Sequence, residues 1–180
     1  RFRRDHVGIV FQAFHLIPTM TALENVMVGR HVRSHSGLIG AIFRTPAFKA
    51  EEAAITKRAQ ELLDYVGIGK FAEYKARTLS YGDQRRLEIA RALATDPKLI
   101  ALDEPAAGLN PKETEDLKAL IALLRDEHGV TVLLIEHDMK LVMSISDHIY
   151  VINQGTPLAN GTPEEIRNNP DVIKAYLGEA

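Results

Sequence analysis

Cysteine is missing from all 180 residues. No disulfide framework can therefore exist, and no thiolate-bound zinc or iron–sulfur site. A dominant charge is missing too. The 22 basic residues stand against 24 acidic ones, a net charge of −2. A generic nucleic-acid binder carries a marked basic excess, so no nucleic-acid partner is expected. No apolar run approaches the ~18 residues needed to cross a bilayer. The opening, Arg1-Phe2-Arg3-Arg4-Asp5, leads straight into Val7-Gly8-Ile9-Val10-Phe11 without the form of a signal peptide, and without an initiator Met. The expectation is a piece of something longer. Repeats, low-complexity tracts and long linkers are also absent. What is present is 46% hydrophobic and 26% charged residues. That composition suits a soluble α/β chain of a reducing compartment, one compact domain or a domain with a small lobe, burying roughly 70% of its unfolded surface.

Val7 to Phe11 reads as a short buried strand ending at Gln12. Pro18-Thr19 breaks the backbone, and Thr21-Ala22-Leu23-Glu24 has the form of a capping box opening a helix to about Arg33. Residues 34–46 read as a loop or short helix. Ile55, Ala59, Leu62, Leu63 and Val66 are spaced for a helix over 51–66, stopped by Gly67. A helix is expected over 83–94, an apolar strand over 99–102, and a helix over 111–127 with Asn110 as cap and Pro111 at its first position. Val130 to Ile135 is a β-branched strand, followed by a short helix near 139–144 and a strand over 149–152. Gln154-Gly155-Thr156-Pro157 turns into a polar-edged segment, and two short helices begin at Thr162-Pro163 and Asn169-Pro170. Continuous apolar strands alternating with helices predict a parallel sheet covered on both faces.

Leu99-Ile100-Ala101-Leu102 delivers two adjacent carboxylates, Asp103 and Glu104, at the strand's carboxyl end, where open parallel sheets bind ligands. Neighbouring acids repel unless a cation or solvent relieves them. Mg²⁺ requires one or two carboxylates together with phosphate and water oxygens. This assigns Asp103 to the outer shell of Mg²⁺ and Glu104 to the attacking water; taken alone, the pair is more often a solvated acidic loop. Leu79-Ser80-Tyr81-Gly82-Asp83 is a helix start with Ser80 as cap. Its free N–H groups could accept phosphate, with Gly82 allowing close approach, although an ordinary capped helix is the plainer reading. His137 follows the Val130 strand and Gln12 follows the first; each could face a phosphate or be structural. His31 and His35 lack a third ligand and are read as solvated.

The order is more specific than any single part: Gln after a strand, a helical stretch, Leu-Ser-Tyr-Gly-Asp, Asp-Glu after a strand, His after a strand. From Val7 onward the chain resembles an ABC-type ATPase, the nucleotide-binding subunit of an ATP-driven transporter. The resemblance implies that Gln12 is the Q-loop glutamine, and that Gln12 and Asp103 bind the nucleotide and Mg²⁺, the ion through water and phosphate. It makes Ser80, Tyr81, Gly82 and Asp83 the signature covering the ATP of a partner subunit. Leu99 to Asp103 becomes the Walker B strand, Glu104 the general base, Ala107-Gly108-Leu109-Asn110 the D-loop, and His137 the switch histidine. Residues 79–93, Ala107 to Pro111 and the long segment from Met27 to Ala54 are similar to the branched-chain amino acid importers. The implied cofactors are ATP and Mg²⁺. The implied partners are a second ATPase subunit, identical or related, transmembrane permease subunits and, through them, a solute-binding protein. The implied location is peripheral, on the cytoplasmic face of the membrane.

Two positions depart from the family pattern: Asp83 where glutamine is usual, and Asn110 where aspartate is usual. The larger departure is the absence of G-x-x-x-x-G-K-[ST]. In the family that loop precedes the Q-loop, so it would lie before Arg1. The expected fold is thus an α/β P-loop NTPase core truncated at its N-terminus. A helical subdomain over 13–95 would carry the signature, and 96–180 would form the C-terminal part of the catalytic core. The family's sheet order puts the missing strand between the Val130 and Ile149 strands, leaving two unpaired edges. The 180 residues alone are expected to be inactive. Two other readings stay open: a non-catalytic interaction fragment, and a soluble ABC ATPase without a transporter.

Overall fold

The computed structural model describes residues 6–12, 15–31 and 45–177. Most of the expected loop over 34–46 lies outside them. By its internal contacts the chain divides into two compact units, Arg1–Ile135 and Glu136–Ala180.

In the first unit, β1 (Val7–Val10), β2 (Leu99–Asp103) and β3 (Thr131–Ile135) form a parallel sheet in that order. Gly8 pairs with Ile100 and Ile100 with Val132, so the apolar side chains align in rows across the sheet. Helix α1 (Ala22–Arg30) opens on the capping box expected at Thr21, and its carboxyl end is capped by His31. Buried Asn25 pins the preceding turn: its amide donates to the Ile17 and Thr21 carbonyls at 3.1 and 2.9 Å and accepts from the Ile17 N–H at 2.8 Å. Helix α2 (Pro46–Tyr65) starts five residues before the expected 51, because Thr45 caps it and Pro46 supplies the preset first residue. Two short 3₁₀ turns lead to helix α3 (Tyr81–Leu93), capped by Ser80. Helix α4 (Pro111–His128) has the Asn110 capping box and ends on left-handed Gly129.

The expectation of a sheet covered on both faces is corrected by β3. Its residues alternate, and Leu133 and Ile135 are 52% and 54% exposed. Gly8, Val10, Ile100 and Leu102 are buried on one face, where α3 approaches β1 closely at Ala92. No described element of this unit shields Leu133 and Ile135. Among the described residues, β2 is the only ladder partner of β3.

The second unit holds α5 (Met139–Ile145), β4 (Ile149–Asn153), β5 (Thr156–Gly161), α6 (Pro163–Arg167) and α7 (Pro170–Leu177). The polar-edged segment after Gly155 is itself a strand, pairing antiparallel with β4 across a bulge at Val151/Ile152. Ile149, Val151, Ile166 and Val172 form this unit's core.

Candidate active site

The carboxyl end of β2 presents Asp103, half-buried, and then Glu104, whose backbone takes a left-handed φ of 44°. Its N–H donates to the Ile135 carbonyl at 2.9 Å, locking the turn onto β3. A non-glycine residue held left-handed stores strain of about 1–3 kcal/mol, tolerated where the surroundings fix it. The turn aims the Glu104 carboxylate at the residues that follow β1: Gln12 Nε2 donates to Glu104 Oε2 at 2.5 Å. Two side chains 92 positions apart in sequence, each flagged for phosphate chemistry, thus meet at one strand end.

The backbone at Gln12 is held from behind by residues that sequence reading missed. Arg85 of α3 is fully buried; its guanidinium donates to the Phe11 carbonyl at 2.8 Å, the Gln12 carbonyl at 3.0 Å and Glu88 at 2.8 Å. Glu88, also buried, accepts from the His15 N–H at 2.8 Å, and Arg91 donates to the His15 carbonyl. Burial pushes the Glu88 carboxyl above its ordinary pKa, against the opposing pull of the His15 N–H and Arg85. The helix that begins with the Leu-Ser-Tyr-Gly-Asp run therefore clamps the segment carrying Gln12. The only trace of this in the sequence is an Arg–Glu pair three apart on a helix, a spacing that usually faces solvent.

The start of α3 and the turn after Glu104 also meet. Ser80 Oγ bonds Asp83 at 2.7 Å and accepts the Asp83 N–H at 3.2 Å. A β-carbon on Gly82 would lie 2.7 Å from a Glu113 carboxylate oxygen, and one on Gly108, at φ 77°, would lie 3.2 Å from the Tyr81 ring. Ala107 and Leu109 complete a tight turn by donating to the Glu104 and Ala106 carbonyls. Asn110 shares its capping box with Glu113, at 3.0 and 2.9 Å. His137 belongs to the second unit, two residues beyond the end of β3; its side chain is 74% exposed and its N–H donates to Glu136 at 3.1 Å. Asp138 caps α5 immediately after it.

Among the described residues no three histidine, aspartate or glutamate side chains gather as a self-sufficient metal cage. Two hard carboxylates and an amide at one strand end do match what Mg²⁺ takes from a protein when phosphate and water supply its remaining oxygens.

The parallel sheet and its strand-end carboxylates are those of the P-loop NTPase architecture. Residues 1–107 match the family described as ABC transporter, and 156–180 the one described as branched-chain amino acid ATP-binding cassette transporter. The chain belongs to the ABC transporter ATP-binding family. It is 60% identical over 180 residues to the high-affinity branched-chain amino acid transport ATP-binding protein BraF of Pseudomonas aeruginosa, covering 100% of this chain and 71% of the relative. It is 57% identical over 176 residues to LivG of Escherichia coli, covering 97% and 69%. Among solved structures, a nucleotide-free ATP-binding cassette from an ABC transporter superposes with a TM-score of 0.78 at 31% identity, over 99% of this chain and 71% of that one. A dimeric cassette in a post-hydrolysis state, bound to ADP and phosphate, superposes with a TM-score of 0.73 at 32% identity, over 90% of this chain and 65% of that one.

Proposed function

We propose that this chain forms the hydrolytic strand end, signature and D-loop of the ATP-hydrolysing motor subunit of an ABC importer for branched-chain amino acids. The Gln12–Glu104 contact carries the reading. A carboxylate in a strained turn and a Q-loop amide share the edge where a γ-phosphate and its attacking water would sit. Glu104 polarises that water and takes its proton on a side-chain oxygen as the oxygen attacks the γ-phosphorus, and ADP leaves. Gln12 orients the Glu104 carboxylate and follows any displacement of its loop. Arg85 couples that loop to the signature helix. Asp103 and Gln12 would hold Mg²⁺ through water and phosphate, and the ion's charge would offset that of the phosphates. By the family resemblance alone, His137 is assigned a hydrogen bond to a terminal phosphate.

Ser80, Tyr81, Gly82 and Asp83 cover the ATP of a second ATPase subunit, with Ala107 to Asn110 lining the seam. The helices between about Thr21 and Arg77 dock on transmembrane permease subunits at the cytoplasmic face of the membrane. A solute-binding protein delivers the amino acid from the other side.

The phosphate-binding loop is not among the 180 residues, which favours a second reading for the chain by itself: an assembled but inactive part. A chimera joining the phosphate-loop segment of the Pseudomonas relative to Arg1 tests both. It should hydrolyse ATP, and Glu104→Gln should lower turnover at least ~100-fold while nucleotide affinity is kept. Retained hydrolysis in that variant removes Glu104 from its role.

A further inference from the structure

The amino ends of β2 and β3 carry a concavity, about 270 Å³ in volume, in the first unit. It lies beyond the full length of β2 from Glu104, about 16 Å by strand rise. Its floor is aliphatic: Leu62, Leu93, Leu124 and Val130, all buried. Its rim is charged. Arg58 stands between two acids, 3.4 Å from Glu61 and 3.6 Å from Asp96. Asp96, held at a left-handed φ of 46°, also pairs with Arg30.

We propose that this cavity binds a free aliphatic α-amino acid. The volume falls below the ~300–1,000 Å³ of sites for drug-sized ligands, so the occupant is small. The floor offers nothing to a polar tail and buries a branched hydrocarbon one. The rim sets the head group. Arg58 faces Glu61 and Asp96 around the rim, and Asp96 is also held by Arg30 outside the lining, so both signs of charge stand ready for the two ends of a zwitterion. Arg58 meets its two acids at 3.4 and 3.6 Å, longer than an ideal charge-assisted bond. A ligand carboxylate could take its fork at the 2.7–2.9 Å typical of charge-assisted bonds, leaving Glu61 and Asp96 to the ammonium. Tyr65 also lines the cavity. Burial and the nearby Glu127 raise its pKa.

The occupant would touch α2, the last turn of α3, α4 and the start of β3 together, stiffening the joint between helices and sheet. That consequence for turnover rests on the motor reading above; the binding itself does not. Isothermal titration of the full chain with L-leucine, L-isoleucine and L-valine, without ATP, tests it. Saturable one-site binding is expected. Affinity should fall about tenfold or more for 4-methylpentanoate and for isoamylamine, each lacking one charge, and in Arg58→Ala and Glu61→Gln, two rim variants that leave the floor intact. No saturable heat at millimolar leucine, equal binding of the single-charge analogues, or unchanged affinity in both variants would overturn the proposal. Because no nucleotide is present, failure here is distinct from failure of the Glu104 assignment.

Discussion

A guanidinium with no exposed surface is costly unless its donors are answered, and Arg85 directs three of its five N–H groups to two carbonyls of the Gln12 segment and the carboxylate of Glu88. Removing one partner of a buried pair strands the other charge, at about 3–5 kcal/mol. Arg85→Ala should therefore lower the urea midpoint of the chain steeply, and in the chimera it should cost turnover by releasing Gln12 as well. Glu88 gives the pair a pH signature. Its folded pKa lies above the ordinary value of 4.5, with burial as the main cause. Between those two pKa values the folded state keeps a proton that the unfolded state has lost, so stability declines as pH climbs through the window. Glu88→Gln cannot titrate. The wild-type midpoint should drop relative to that variant just above pH 4.5 and run parallel to it on either side. Parallel profiles across the whole range would refute a raised pKa.

At the scale of elements, β3 is the exposed one. Leu133 and Ile135 point to an open face, and β2 is its sole ladder partner among the described residues. Unpaired strand edges beside exposed aliphatic residues template association. Leu133→Lys should shift the chain toward monomer in light scattering without altering its helical circular dichroism. Much of this architecture was legible. The apolar runs at Val7, Leu99 and Val130, and the caps at Thr21, Ser80 and Asn110, marked strands and helix starts because each follows from local chemistry. Strand β4 was legible, but its partner β5 was hidden because Pro157 and the polar residues beside it argue against a strand; a bulge one register position away accommodates them. The Arg85–Glu88 clamp was hidden for another reason. A charged pair three apart reads as a solvated helix face, and only the return of the Gln12 segment over α3 buries it. The Gln12–Glu104 contact was inferable from motif order but not from spacing, since 92 residues intervene.

On the scale of the whole molecule, the question is what these 180 residues can do without a glycine-rich phosphate loop. A triphosphate brings several negative charges to a strand end that already carries Asp103 and Glu104. In P-loop proteins a run of backbone N–H groups and a lysine neutralise them. Here Mg²⁺ would have to bridge acids and phosphates alone. Micromolar affinity needs about −8 kcal/mol, and an ion that must also hold its own waters and repelling carboxylates does not supply that surplus. The full chain should accordingly show no saturable ATP heat in the micromolar range with Mg²⁺ present. The chimera carrying the relative's phosphate loop should gain it. Saturable micromolar binding by the 180 residues would mean that the Ser80–Asp83 helix start and the β2 strand end gather phosphate by themselves. The division of labour assigned to Gln12, Asp103 and Glu104 would then have to be redrawn around a different anion cradle.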